Sequence, residues 1–442
     1  MNTITNNNLT SSTDTFRILA KGHYINNNTW SSGINNNDLI IGPSGAGKTR
    51  SYVKPNLLQC NESIVVADTK GNLRREIGPV MKKKGYKIID IDFVDLKTSK
   101  YGYNPLDFIR YDENTGKYNE QDIMTAANAL CPESAHDDPY WDNSAKQLIT
   151  CALCYILDCL PEEEHNLNSL CKLVCEMSPN IDELGVRRPS NFDRLMEEYC
   201  TLYPDSCGTK KYKIFRNVCA AEKTYGCILG FVAEKLDVFS FDGATSFFGN
   251  QNKLDFKQLA QQKTVVFLNV SDTDRSMDRL VNVFYTQCFQ SLCKIADSSK
   301  NSRLKVPVRI ILDDFATNVR IPDFDKIISV IRSREIYTSI ILQSISQLEA
   351  VYDRATAYTI INNCDTMLYL GGQDVETAQL IGTKVNKTAN TILNLPLGEA
   401  YLFVRGSEPA KVRKFELKEH PLYKLLPESR INSAIENAIN TI

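Results

Sequence analysis

The sequence predicts an α/β fold built on a largely parallel sheet, with an all-helical stretch inserted into it. Two observations carry this. From Asp38 onward, short apolar runs alternate with segments of helical periodicity, the pattern of βα units. Between about Asp112 and Phe239 the strand signal stops. Apolar residues there recur at helical spacing: Ile123, Ala127 and Leu130, then Leu148, Leu153 and Ile156, then Leu167, Leu170 and Leu173.

The expected strands cover residues 39–41, 63–68, 87–92, 264–270, 308–313, 338–343, 366–370 and 401–404. Helical stretches over residues 275–296, 322–334 and 374–382 separate several of them. Ahead of the first strand, residues 1–36 are polar, and Asn-Asn-Asn occurs three times, from Asn6, Asn26 and Asn35. Such a stretch buries little apolar area, so a flexible arm is expected, with Phe16–Ala20 and Trp30 able to dock on the body. The expected organisation is an arm over 1–36, a nucleotide-binding domain over 37–111 and 240–418, an inserted all-α domain over 112–239, and a short tail over 419–442.

Composition bounds the class without choosing a function. The 442 residues are 43% apolar and 24% charged, with a formal net charge of −2, so the bulk balance does not announce nucleic acid. Fourteen cysteines, with no secretory signal ahead of them, indicate a reduced, cytosolic setting. Cys151 and Cys154 have CxxC spacing but no second pair or nearby His, so they are read as buried helix cysteines. The most apolar window, Leu148 to Leu157, is about half of the roughly 18 residues that a membrane span needs.

The chemistry begins at Gly42-Pro43-Ser44-Gly45-Ala46-Gly47-Lys48-Thr49, a complete G-x-x-x-x-G-K-[ST] string between an expected strand and an expected helix. Glycines let the backbone curl so that successive N–H groups face phosphate oxygens, and the helix N-terminus adds its positive end. Lys48 is expected to reach the β- and γ-phosphates of ATP, and the Thr49 hydroxyl to ligate Mg²⁺. A second carboxylate for the Mg²⁺ water shell is expected at the end of a buried strand, and Val308-Arg309-Ile310-Ile311-Leu312-Asp313-Asp314 supplies it. Asp313 is the expected Mg²⁺ partner, and Asp314 the residue that polarises the attacking water. Gln343, polar at the end of another apolar strand, suits sensing of the γ-phosphate or placing the water. Arg332 and Arg334 are candidates to stabilise charge on a neighbouring subunit's γ-phosphate. Together these features describe a RecA-like P-loop ATPase domain.

Five segments in order resemble the TraG/VirD family of type IV coupling proteins. They are Ser63–Gly71 (SIVVADTKG) after the P-loop helix, Tyr103-Asn104-Pro105-Leu106-Asp107, Tyr140-Trp141, Leu312-Asp313-Asp314-Phe315-Ala316, and Gln343-Ser344-Ile345-Ser346-Gln347-Leu348. The similarity spans roughly residues 37 to 415. It implies a RecA-like domain carrying an all-α domain, assembly as a hexameric ring, and ATP-driven delivery of a relaxase–single-stranded DNA complex or effector proteins into a type IV secretion channel. Lys48, Thr49, Asp313 and Gln343 match the family's nucleotide-site positions, and Arg332 falls at its proposed arginine finger, which favours Arg332 over Arg334.

Two departures stand out. Most members have Asp-Glu where this chain has Asp313-Asp314, so reduced or partner-dependent hydrolysis is expected. Typical members also begin with a transmembrane region, whereas this sequence begins with a polar stretch. The resemblance then implies a place at the inner face of the bacterial membrane, with membrane contact only through a partner. Two alternatives compete with the coupling motor: an ATP-gated docking receptor that hydrolyses little, and another RecA-like DNA translocase, disfavoured by the absence of a winged-helix-like tail.

Other features carry less. Lys82-Lys83-Lys84 suits the end of a helix. Lys210-Lys211-Tyr212-Lys213 combines basic and aromatic character but reads chiefly as a solvated loop, and Asp137-Asp138 as an exposed one. Asp68 and Lys70 flank a strand end and are candidates to tune the nucleotide site or a subunit contact. His23, His136, His165 and His420 show no ligand spacing.

Overall fold

Continuous runs of β-branched and aliphatic residues are strands buried on both faces, and they dictate the central sheet. A computed structural model of the chain describes residues 15–132, 139–178, 180–181, 187–218, 222–315 and 320–430. Strands β1 (Phe16–Ala20) and β2 (His23–Asn26) form an antiparallel hairpin. The main sheet follows with β3 (Asp38–Ile41), β4 (Ser63–Ala67), β5 (Lys87–Asp92), β6 (Thr264–Asn269), β7 (Val308–Leu312), β8 (Ile336–Leu342), β9 (Thr366–Tyr369), β10 (Glu399–Val404) and β11 (Ala410–Arg413). Every residue of β3, β4, β7, β8 and β9 is buried.

Spatial order is β11-β10-β9-β3-β8-β7-β4-β6-β5. Pairing is parallel from β9 through β3, β8, β7 and β4 to β6, and antiparallel where β10 and β11 extend the edge. All eight expected strands are present, within two residues at each end; β11 and the hairpin had no clear signal. Two later strands, β7 and β8, lie between β3 and β4, although β3 and β4 are consecutive in sequence. Connections diverge at such a place, and the crevice beyond the carboxyl ends of the strands is left open to a ligand.

The chain divides into two compact units. The first comprises Met1–Ile91, Asp255–Arg275 and Phe289–Ile442 and holds the sheet. The second comprises Asp92–Leu254 and Ser276–Cys288. Its hub is the helix Pro139–Cys159, which packs against Glu120–Leu130, Leu167–Cys175, Cys207–Val218 and Glu222–Leu236. The unit is wider than the insert expected over 112–239, because apolar contacts recruit flanking chain: Tyr103 and Phe93 each pack against Phe284, and Phe93 also meets Phe247. No described helix is long and apolar enough to cross a membrane.

Three expectations are corrected. The flexible arm fails for residues 15–36: Arg17, Ile18, Leu19 and Ala20 are buried. Arg17 bonds to Asp38 of β3 (2.9 Å), and the asparagines satisfy buried backbone instead of solvating a linker. Asn37 Oδ1 accepts from the Thr338 amide (3.0 Å), and Asn35 Nδ2 donates to the Asn363 carbonyl (3.0 Å). The tail expected from residue 419 belongs to the sheet unit's packing as far as described, with His420 and Leu426 buried. Lys210-Lys211-Tyr212-Lys213 lies in the helix Cys207–Val218, where buried Tyr212 donates to Asp193 (2.9 Å) and offers no face for stacking. Asp137, Asp138 and His136 lie outside the described residues.

Candidate functional site

The parallel register lines up four strand ends along one edge of the sheet. Leu342 pairs with Ile41, Leu312 with Ile340, and Ile311 with Val66. The residues that follow β3, β8, β7 and β4 are therefore Gly42, Gln343, Asp313 and Asp68, in that spatial order. The Gly42 amide donates to the Leu342 carbonyl (3.0 Å), which fixes the start of the loop against β8.

From that root several of the loop's carbonyls are taken by donors. Lys48 Nζ donates to the carbonyls of Gly42 (2.7 Å) and Pro43 (3.2 Å), and the Pro43 carbonyl also takes the Ala46 amide (3.1 Å). The Gly47 carbonyl takes both the amide and the hydroxyl of Ser51 (2.7 Å each). Gly45 (φ 78°) and Gly47 (φ 90°) supply the left-handed backbone that this winding requires. The opposite consequence is the important one. Among the described residues, the amides of Ser44, Gly45, Gly47 and Lys48 donate to no protein acceptor. The helix that follows opens with a π-helical turn, Thr49–Val53, and continues as Lys54–Gln59.

These amides face a cavity of about 540 Å³ that is also lined by Thr49, Arg50, Lys54, Asp68, Lys70, Glu76, Asp272, Asp313, Asp314 and Gln343. The expected residues Gly45, Gly47, Lys48, Thr49, Asp313, Asp314 and Gln343 thus meet in one place, with Pro43 and Ser44. Gly42 and Ala46 shape the loop from behind. Asp314 has a left-handed backbone (φ 49°), its amide donates to Asp313 (3.1 Å), and its carboxylate lies 3.9 Å from Lys48 Nζ and 3.5 Å from Gln343 Nε2. Burial, with Asp314 and Asp68 adding to it, pushes the Asp313 carboxyl up to about 6, while Lys48 and the Asp314 amide pull the other way. Asp68 is buried and accepts from the Arg74 amide (2.9 Å), so it braces the start of the helix Asn72–Lys83.

Arg332 does not line this cavity; its guanidinium donates to the Thr29 carbonyl (3.4 Å). Arg334 is held in a two-pronged pair by Asp297 (2.7 and 3.1 Å). Sequence reasoning missed Arg50, Lys54, Glu76 and Asp272. Asp272 had a readable signal, an acid just past a buried strand; the others sit on helix faces indistinguishable from solvated ones.

The cavity fits a polyphosphate with a divalent cation. Unsatisfied amides and an ammonium group face the region where phosphate charge would lie, and the Thr49 hydroxyl and a carboxyl at about 6 offer hard oxygen donors. No cluster of three metal-ligating side chains occurs among the described residues, so a cation here would take much of its shell from phosphate and water.

Comparison with known proteins agrees with this arrangement. The pattern of the family described as "Type IV secretory system Conjugative DNA transfer" matches residues 2–394. Protein VirD4 of Rhizobium radiobacter is 21% identical over 378 residues, covering 83% of this chain and 50% of that protein. VirD4 of Agrobacterium fabrum is 22% identical over 362 residues, covering 78% and 49%. The chain therefore spans about half the length of these relatives. Among solved structures, the plasmid coupling protein TrwB in complex with ADP and Mg²⁺ superposes with a TM-score of 0.65 at 16% identity, covering 90% of this chain and 89% of that one. The fold is the RecA-like α/β fold of that protein.

Proposed function

The chain belongs to the type IV secretory system conjugative DNA transfer family, and from that premise we propose that it is an ATP-dependent coupling protein. It recruits a relaxase–single-stranded DNA complex or effector proteins and drives them into a type IV secretion channel. The observation that carries the nucleotide part is the loop of four unpartnered amides around Lys48. ATP is the substrate, and Thr49 and Asp313 would hold Mg²⁺. When bound, Mg²⁺ would neutralise phosphate charge.

The amides of Ser44, Gly45, Gly47 and Lys48 bind phosphate oxygens, and Lys48 exchanges its two loop carbonyls for the β- and γ-phosphates. Asp314 accepts a proton from the attacking water, and Gln343, within 3.5 Å of that carboxylate, orients the same water. Arg332 acts on the site of an adjacent subunit in a hexameric ring. The helical insert over 112–239 faces cargo, and the protein works at the inner face of the bacterial membrane.

One observation favours the second reading, a docking receptor with little turnover. The short Asp314 side chain is drawn toward Lys48 instead of standing clear of it. Steady-state ATP hydrolysis with and without single-stranded DNA decides between the two. The motor requires DNA-stimulated turnover that Lys48→Ala and Arg332→Ala each reduce by at least about 100-fold. Tight ATP binding with negligible turnover in every condition would leave the receptor.

A further inference from the structure

Lys414 directly follows β11 at the outer edge of the sheet and lies beyond the stretch that the family pattern matches. Its Nζ donates to the carbonyl of Ala46 (3.1 Å), inside the phosphate loop, and to the carbonyl of Leu370 (3.1 Å). Leu370 is itself tied to the root of the loop, because its amide donates to the Ile41 carbonyl (2.8 Å). The ammonium group thus bridges the far turn of the loop to the end of β9, the strand that pairs beside β3, from which the loop departs.

Two further facts give this bridge electrostatic content. Lys414 makes no ion pair among the described residues, although it is half-buried and burial lowers its pKa. The two deeply buried arginines of this unit, Arg17 and Arg309, each pair with carboxylates. Among the described residues, the charge behind the loop is met by backbone carbonyls and by no carboxylate within ion-pair distance. Second, Ala46 C=O and Gly47 N–H belong to one planar trans peptide and point in opposite directions. With the carbonyl held by a cation, the amide on the other side is fixed in direction and polarised as a donor. That amide, Gly47 N–H, is one of the four without a protein acceptor.

We propose that Lys414 is a positioning residue of the phosphate site, holding the Ala46–Gly47 peptide with its N–H toward the nucleotide and adding positive charge behind it. The proposal rests on reading the cavity as a nucleotide site. Lys48 grips the loop's own carbonyls and must leave them to meet phosphate, whereas Lys414 reaches the loop from outside and keeps its contacts throughout. Its contribution falls on the affinity for phosphates and not on the chemistry that follows.

The test is calorimetric titration of the full chain with ADP, with and without Mg²⁺, for wild type, Lys414→Gln, Lys414→Arg and Lys48→Ala, alongside thermal melting of each nucleotide-free protein. Lys414→Gln should weaken ADP about tenfold, Lys414→Arg should stay within about twofold of wild type, and neither should move the nucleotide-free melting temperature appreciably. ADP affinity unchanged in Lys414→Gln, with Lys48→Ala impaired, overturns the proposal and leaves the nucleotide site standing. Equal loss in Lys414→Gln and Lys414→Arg, accompanied by a lower melting temperature, overturns it in favour of a purely structural tether. A wild-type protein that does not bind ADP, or a Lys48→Ala protein that binds as well as wild type, removes the nucleotide reading itself and the proposal with it.

Discussion

Asp313 shows how far the demands of the site oppose stability. Its carboxyl titrates at about 6 in the folded chain against 3.8 in its ordinary setting, with burial as the main cause. Between these values the folded chain holds a proton that the unfolded chain has released, so stability falls as pH rises through that window. Above it the full cost of the buried anion is present, on the order of 3 kcal/mol; below about pH 4 it is gone. Asp313→Asn cannot ionise, and it should raise the melting temperature of the nucleotide-free protein by a few degrees at pH 8. That gap should close toward pH 4 and be accompanied by loss of Mg²⁺-dependent nucleotide affinity. Melting curves of the two proteins from pH 4 to 8 check this, and coincident curves at pH 8 would mean that the carboxylate ionises without penalty. A similar opposition sits beneath the loop, where Asp38 accepts from Tyr52 (2.6 Å), pairs with Arg17 and lies 3.3 Å from Arg309. For Arg309, burial alone would disfavour the charge, but Glu62 and Asp38 outweigh it and hold the guanidinium charged.

At the scale of elements, that cluster fastens four pieces of the fold together: the hairpin through Arg17, the loop strand through Asp38, β7 through Arg309, and the loop helix through Tyr52. Removing Arg17 leaves Asp38 with Arg309 and Tyr52, so the sheet should survive while the hairpin loses its anchor. Arg17→Met is expected to cost about 3 kcal/mol. It should also open the backbone around residues 16–26 to hydrogen exchange before any sheet strand, as mass spectrometry would show. Exchange rising equally in β3 and β7 would instead make the hairpin part of the same cooperative unit. The difference between what was and was not legible in the sequence has the same origin. Strands such as Val308–Leu312 announce themselves because a parallel sheet buries both faces, and the phosphate loop because its amides come from one contiguous segment. Asp313 and Gln343 were readable as polar residues ending apolar runs. The pairings of Arg17 and Arg309 had no signal in the sequence, and the asparagine runs read as a flexible arm, because their partners lie across the fold. Lys414 reaches Ala46 from 368 positions away, and no local pattern encodes that contact.

The molecule as a whole raises the question of what completes the site. Within one chain, loop amides, Lys48, Asp313, Asp314 and Gln343 line a single cavity, while Arg332 is held elsewhere by a backbone carbonyl. On the proposed reading Arg332 serves a neighbour's cavity, which would tie turnover to assembly. Mixing separates the possibilities. A Lys48→Ala subunit has a dead phosphate site but an intact Arg332; an Arg332→Ala subunit has the reverse. If Arg332 acts between subunits, hybrid rings contain junctions where an intact site meets an intact arginine. Two inactive proteins, mixed and allowed to exchange subunits, should then recover activity that rises with the chance of such neighbours. In equal mixture about one junction in four pairs a sound site with a sound arginine, so recovery of up to roughly a quarter of wild-type turnover is expected if sites fire independently, and less if the ring fires in concert. If Arg332 instead acts within its own chain, no mixture contains a complete site, and activity stays at the level of the parents. Subunit exchange must be verified in the same samples by mass, so that silence reports on the arginine and not on rings that never mixed.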